Sequence, residues 1–219
     1  MRQEQGSGKD RPPDAEGSAA WDRAYLEQGR LWGGSPFPVE DLPAGGLILD
    51  LGCGNGKLLA SVTGRPCCYI GIDSSPQACR LARRAADSKA TCILTADARA
   101  LPLRSGSVDI VVASHVAGHL VAGDRAILFR EAARVLREGG LLLFSDFSVG
   151  DFRSGKGIEV EERTFLRMNG IATHYFTEEE VRGLLGLLTV RDLATLRRQM
   201  KVRGRAYPRA EIIASFVKE

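Results

Sequence analysis

Five short apolar runs separated by turns and helix-length segments occupy the middle of this chain, and they leave few folds open. LILDL (47–51), CYIGID (68–73), TCILTAD (91–97), VDIVVAS (108–114) and GGLLLFSDF (139–147) each read as a buried strand. Helix signals fall between them. A helical stretch starts at Lys57, and Pro76 stands in the first turn of a helix over 76–87. Over 124–137, Ile127, Leu128, Val135 and Leu136 recur at helical spacing, with Gly139 as the stop. Strands apolar on both faces and alternating with helices predict a parallel sheet covered on both sides.

The flanks depart from this rhythm. Residues 1–18 are glycine, proline and charge with almost nothing to bury, which predicts a flexible tail ahead of one domain over 19–219. A helix is expected over 19–30, with Trp21, Tyr25 and Leu26 on one face, then a Pro/Gly-rich loop over 31–46. Residues 151–174 are polar and aperiodic and read as an insertion or lid. Thr177, followed by three glutamates, caps a helix. Two β-like segments (188–199 and 210–218), joined by the basic MKVRGRAYPR, predict an antiparallel hairpin at one sheet edge. With 44% hydrophobic and 26% charged residues in 219, a real core is available. No run approaches the roughly 18 apolar residues of a membrane span, and the N-terminus lacks a signal peptide's apolar core. Five cysteines, two of them adjacent (Cys67 and Cys68), fit neither a disulfide framework nor a zinc site, and suit a reducing cytoplasm.

The chemistry is concentrated in LILDLGCGNG. A strand ends at Leu51, the loop carries Gly52, Gly54 and Gly56, and a helix begins at once. Glycines there let the chain turn sharply and let a ligand approach bare backbone, although a tight strand-to-helix turn in any α/β protein would look similar. A dinucleotide fingerprint would need glycine where Lys57 stands, and a P-loop fails at Leu58. Asp50, just before the loop, would repel a pyrophosphate but suits a ligand carrying an ammonium and a sulfonium. Asp73 closes the next strand 17 residues after Gly56, where an acid can accept both ribose hydroxyls, and Asp97 closes the third. Three acids at three consecutive strand ends beside a glycine loop form a set.

The set, with DLGCGNG (50–56), GID (71–73), ADARALPL (96–103), VDIVVAS (108–114) and EAARVLREGGLLLF (131–144), resembles the class I S-adenosylmethionine-dependent methyltransferases. The resemblance implies a Rossmann-like, mostly parallel seven-stranded sheet of order 3-2-1-4-5-7-6 with the last strand antiparallel. It implies S-adenosyl-L-methionine as cofactor and no metal. Asp50 and the Gly52, Cys53, Gly54 and Gly56 loop would line the methionine end, and Asp73, with Ser74 beside it, the ribose. Asp97 and Ala98 would frame the adenine, and Ser114 would sit near the donor methyl. The layout DFRSGKG…GIATHYFTEEEV also loosely resembles the wobble-uridine tRNA methyltransferases, while ASHV stands where many amide- or adenine-methylating enzymes carry an Asn-Pro-Pro-Tyr motif.

The acceptor is less legible. His119 and His115, in ASHVAGHL, follow the fourth strand and are candidates for a site base or for plain packing. His174, in IATHYFTEEE, either closes over the pocket or anchors a loop. Trp21, Tyr25 and Trp32 either cover the donor, since aromatic faces attract a sulfonium, or pack helix to sheet. Cys53 serves as a small loop residue, and Cys67, Cys68, Cys79 and Cys92 as small apolar ones. Over 182–209, eight basic residues face one acid. That stretch is either an anion surface such as an RNA site, with Tyr207 stacking, or a solvated hairpin whose charge protects its edge. Three functions follow: a methyltransferase acting on a small molecule, one acting on tRNA with a small activator subunit, or a non-catalytic binding module. Neither DNA nor a membrane is an expected partner.

Overall fold

The computed structural model describes residues 14–29, 31, 45–86, 90–202 and 204–219. In chain order the elements are α1 (Asp14–Gln28), β1 (Leu47–Leu51), α2 (Lys57–Val62), β2 (Cys68–Asp73), α3 (Pro76–Ala85), β3 (Thr91–Thr95) and β4 (Val108–Ser114). After a single 3-10 turn (Ala117–His119) come α4 (Ala122–Val135), β5 (Leu136–Phe147), β6 (Ile158–Glu161), β7 (Thr164–Leu166), β8 (Ala172–His174), α5 (Glu178–Leu184), β9 (Thr189–Val202) and β10 (Arg205–Val217).

Seven strands form the main sheet in the order β3-β2-β1-β4-β5-β10-β9. Setting the small second sheet aside, this is the expected 3-2-1-4-5-7-6, with β10 antiparallel to both neighbours. Alternate residues of the central strands feed two cores, one on each face. Leu49, Leu51, Val111, Ala113 and Phe144 pack against Phe129 of α4 and Val181 of α5. Ile48, Ile110, Val112 and Leu143 pack against Leu58, Leu59 and Val62 of α2 and Cys79 and Ala82 of α3. The two-sided burial is why these strands read as continuous apolar runs. No described helix is long and apolar enough to cross a membrane.

Several boundaries differ from the sequence expectation, each for a local reason. Helix α1 reaches back to Asp14, into the stretch expected to be a tail; residues 1–13, the loop apart from Leu31, Gly45 and Gly46, and therefore Trp32, lie outside the described residues. Ala20 and Tyr25 face inward, whereas Leu26 is 59% exposed rather than sharing their face. Helix α4 stops at Val135, and β5 begins at once, because the Lys218 ammonium donates to the carbonyls of Ala133 and Leu136 (2.9 and 2.8 Å) and satisfies the helix end. Val108 pairs with Leu136 and Ile110 with Leu141, so residues 137–140, Gly139 included, bulge from the strand rather than stop the helix. The basic segment between the two terminal β-like runs is itself strand: the β9–β10 ladder runs from Thr189↔Val217 to Val202↔Arg205. Cys53 and Cys79 are buried and Cys67 half-buried, but Cys68 and Cys92 are exposed on the outer strands, so those two are not core residues.

The expected insertion over 151–174 is a three-stranded antiparallel sheet, β6-β7-β8. Its strands are three or four residues long, too short to reveal a period of two. A buried Arg125 on α4 holds it, reaching Glu161 at 2.7 Å and the Leu120 carbonyl at 2.6 Å. His174 is buried in the same knot, hydrogen-bonded to Thr164 Oγ1 (2.7 Å) and Glu180 (2.9 Å). It anchors the small sheet to α5.

Two caps fix the starts of helices α3 and α5. Ser75 caps α3, its Oγ accepting from the Ala78 amide (3.1 Å) and donating to Asp22 of α1 (2.7 Å), which also accepts from the Gln77 amide (2.9 Å). Ser75→Ala should therefore cost about 1–2 kcal/mol of stability, since it removes the cap and one tie to α1; denaturant unfolding measures it. Thr177 caps α5 as expected, accepting from Glu180 at 3.2 Å.

Candidate active site

A cavity of about 1240 Å³ runs along the carboxyl ends of the parallel strands, where open α/β sheets place their ligands. Its lining includes Asp50, Gly52, Cys53, Gly54, Asp73, Ser74, Asp97, Ala98, Ser114, His115 and His119, so the residues proposed from sequence converge. Two do not reach it. Gly56 lies behind the loop as the N-cap of α2, at φ 83°, and His174 is the anchor described above.

At the first end, the chain leaves β1 into a tight loop. Gly52 and Cys53 donate to the Ile72 carbonyl (2.8 and 3.0 Å), fixing the loop to β2. Gly52 sits at φ 69°, and a Cβ there would lie 2.9 Å from Val116; at Gly54, φ 53°, it would lie 2.5 Å from the Tyr25 hydroxyl. No other residue fits either position without displacing a neighbour. Asp73 accepts from the Gly54 and Ser75 amides, both at 2.9 Å. Asp50 is buried against the Tyr69 hydroxyl at 2.5 Å. Burial pushes the Asp50 carboxyl up to about 7, opposed by the Tyr69 hydrogen bond and helped by the charge on Asp73. Burial raises Asp73 as well, against the pull of the two amides. Asp97 is different: the Arg99 guanidinium grips both its oxygens and holds it below the usual carboxylate range, while Arg99 also reaches Asp124 at 2.7 Å.

Helix α1 roofs this end. Ser18 Oγ donates to the Ser74 carbonyl at 3.3 Å, the Trp21 ring meets His119 edge-on at 4.7 Å, and Tyr25 lies over Gly54. Burial, then the charge on Asp73, drives the Tyr25 hydroxyl far up, so it stays protonated.

At the second end stand the tips of β4 and β5. Ser114 and Ser145 share a hydrogen bond of 2.8 Å. His115 is held at φ 52°, unusual for a residue with a side chain, by its amide's bond to the Ser145 carbonyl (2.8 Å). Its Nδ1 stands 3.5 Å from Asp146 Oδ1 and makes no hydrogen bond, although it is buried. Asp146 is fully buried; burial works to raise it, but His115, His119 and the Gly118 amide (2.8 Å) together hold it below the ordinary value. His119 Nδ1 donates to the Ala172 carbonyl at 2.7 Å, and burial lowers its basicity, so it is a neutral ring tying β8 to the site. The His115 ring packs on Phe147 at 4.5 Å. Sequence reasoning missed Asp146 and Phe147. The signal was present: Asp146 is a fourth acid near a strand end, in FSDF.

Comparison with known proteins agrees with the fold and the loop. Residues 49–144 match the family described as methyltransferase domain. That segment is a methyltransferase domain of the class I S-adenosylmethionine-dependent type. Among relatives of this chain, the tRNA (carboxymethyluridine(34)-5-O)-methyltransferase of Mus musculus is 35% identical over 115 residues, which are 50% of this chain and 16% of that protein. The chain thus spans a small part of that relative's length. A SAM-dependent methyltransferase from Methanosarcina mazei superposes with a TM-score of 0.68 at 25% identity, covering 85% of this chain and 100% of the other. The 1,6-didemethyltoxoflavin-N1-methyltransferase of Burkholderia thailandensis, solved with 1,6-didemethyltoxoflavin and S-adenosylhomocysteine, superposes at 0.73 with 16% identity over 100% of this chain and 94% of that one, a likeness of fold.

Proposed function

We propose that this methyltransferase binds S-adenosyl-L-methionine at the glycine-loop end of the cavity and methylates a small molecule at the other end. The observation that carries the reading is one continuous cavity with buried acids at one end and the His115–Asp146 pair at the other. The residues fit the cofactor. Asp50 is pushed up to about 7 among neighbouring acids, so a cationic ligand supplies the charge it lacks. Gly52 and Gly54, where a Cβ would strike Val116 and the Tyr25 hydroxyl, keep bare backbone on the cavity wall.

When bound, S-adenosylmethionine supplies a methyl already activated on a sulfonium. Asp50 would face the methionine ammonium, Asp73 would accept the ribose hydroxyls, and Asp97, Ala98 and Ser74 would border the nucleoside. Ser114 and Ser145 would border the methyl. His115 is the base: with Nδ1 turned to Asp146, Nε2 is left to take the acceptor's proton. His119 positions the wall, and Trp21 and Tyr25 exclude water from above. The five free thiols support a reducing cytoplasm as the place of work.

Isothermal calorimetry with S-adenosylmethionine tests the first half, and labelled-methyl transfer into fractionated cell extract, digested separately with ribonuclease and protease, tests the second. A ribonuclease-sensitive product would replace the small molecule with tRNA, acting with or without a small activator subunit. Against that reading, successive residues of β9 point to opposite faces, so Arg197 and Lys201 leave the hairpin on one side and Arg198 on the other, beside Arg209. The basic segment is no single stripe. Asp73→Ala should weaken S-adenosylmethionine by about 1–3 kcal/mol, the cost of hydroxyls left without a charged acceptor; unchanged affinity in calorimetry would remove Asp73 from the ribose site.

A further inference from the structure

Tyr69 of β2 stands in an apolar core. Its ring packs with Ile48, Leu58, Leu59, Val62 and Cys79, and only 2% of the residue is exposed. A phenylalanine would fill that volume as well, so the hydroxyl needs a reason of its own. In the β1–β2 ladder Tyr69 stands across from Ile48, two residues before Asp50 on the same face of β1. The side chain spans that step, and its hydroxyl donates to Asp50 Oδ2 at 2.5 Å. Burial, then the charge of Asp50, drives the Tyr69 hydroxyl well above its ordinary range, so it keeps its proton and acts as the donor.

Asp50 lines the cavity and Tyr69 does not. The hydroxyl therefore holds one carboxylate oxygen from behind the wall and leaves Oδ1 for the side where an ammonium would arrive. The other groups around the acid do not replace it. From β2, the charge on Asp73 opposes a charge on Asp50. In the loop, a hydrogen bond with Cys79 and then burial keep the Cys53 thiol neutral, and on α1 burial keeps Tyr25 neutral. Val112, across from Asp50 on β4, is apolar. Lys57 of α2 also lines the cavity, yet Asp50 owes its state to burial, Tyr69 and Asp73, in that order. Burial and Asp73 favour the protonated acid, and the Tyr69 hydroxyl favours the carboxylate.

Resting on the cofactor site proposed above, we propose that Tyr69 is a positioning residue for cofactor binding, whose hydroxyl orients Asp50 from behind the cavity wall, keeps it ready to ionise, and so sets the pH below which the cofactor is released. Tyr69 touches no ligand and acts through Asp50. The proton held by Asp50 in the free protein leaves to solvent as the ammonium arrives, and the hydroxyl keeps its own.

Calorimetry of the full chain with S-adenosylhomocysteine, from about pH 6 to about pH 9, tests this. Tyr69→Phe removes the hydroxyl and keeps the ring. Its affinity should fall about tenfold near pH 7 and return to within about threefold of wild type by about pH 9, because losing a hydrogen bond to a charged group moves the Asp50 midpoint up by about one to two pH units. The ligand's own amino group titrates near about pH 8, but it does so with both proteins and cancels in the ratio. Proton release near pH 7, read from the heat in two buffers, should be greater in the variant by up to about half a proton, since Asp50 titrates at about 7 in the wild type. A side chain that only packs would move neither readout. Asp50→Asn/Tyr69→Phe, which buries no unpaired acid, serves where the single variant fails to fold: added to Asp50→Asn, the second change should alter affinity by less than about threefold, equally at every pH. Absence of binding to the wild type at any pH would remove the cofactor reading itself. With binding intact, a loss of the same size at every pH in Tyr69→Phe, or a tenfold loss that persists in the Asp50→Asn background, would make Tyr69 a packing residue and overturn the assignment.

Discussion

His115→Ala is expected to lower methyl transfer by about 10²–10⁴-fold while leaving S-adenosylmethionine affinity unchanged. The split follows from position. His115 belongs to the β4 tip, away from the glycine loop, and touches Phe147 and Asp146 rather than Asp50 or Asp73. Its left-handed backbone aims the ring into the cavity, and its Nδ1 is the buried nitrogen that faces Asp146. Asp146→Asn should reproduce part of the loss, because the amide keeps the shape but cannot stabilise the imidazolium that forms once the proton is taken. Single-turnover transfer, measured beside calorimetric affinity, separates the two quantities. A fall in affinity with an unaltered rate would make His115 a binding residue instead.

Asp50→Asn should stabilise the free protein above neutral pH and yet cripple cofactor binding. In the fold the Asp50 carboxyl titrates at about 7, whereas in the unfolded chain an aspartate titrates near 3.9. Below the unfolded value both states hold the proton and the group is neutral to stability. Between the two values the unfolded chain has released it and the fold has not, so stability is lost steadily as pH rises. Above about 7 the loss is complete. The asparagine, which never ionises, should thus gain about 1–3 kcal/mol at pH 8, less near pH 5, with no further gain at higher pH. Meanwhile S-adenosylmethionine should bind the variant about 2–4 kcal/mol more weakly, because its ammonium loses a buried carboxylate partner. The wild-type protein should release a proton on binding near neutrality, seen as a dependence of calorimetric heat on buffer. Denaturant unfolding at the two pH values and titrations in two buffers measure both effects.

The parallel half of the fold was legible because its strands are buried on both faces, so each reads as a largely apolar run, the first three with an acid at or just beside the end. The glycine loop was legible for a steric reason: at Gly52 and Gly54 no side chain fits. What failed to show was structure held by distant partners. The strands of the small sheet carry three or four residues each and owe their place to Arg125 and His174, an association no local pattern encodes. The end of α4 was misplaced because Lys218, more than 80 residues later, satisfies its carbonyls. Asp146 stands one residue inside the strand end that the sequence did mark, at Phe147, so it reads as part of the strand rather than as an acid at its tip. Address alone does not tell His115 from His119; the tie of His119 Nδ1 to the Ala172 carbonyl is a long-range contact that no local pattern shows.

The roof over the glycine loop hangs from few threads. A serine hydroxyl, one carboxylate at the head of α3 and an indole edge hold α1 across the proposed donor site, and each is weak enough for thermal motion to undo. A spent nucleoside sealed beneath such a flap can escape only when the flap swings, so the pace of repeated cycles would be set by that hinge rather than by bond making. Strengthening the latch would then slow the enzyme even as it tightened its hold.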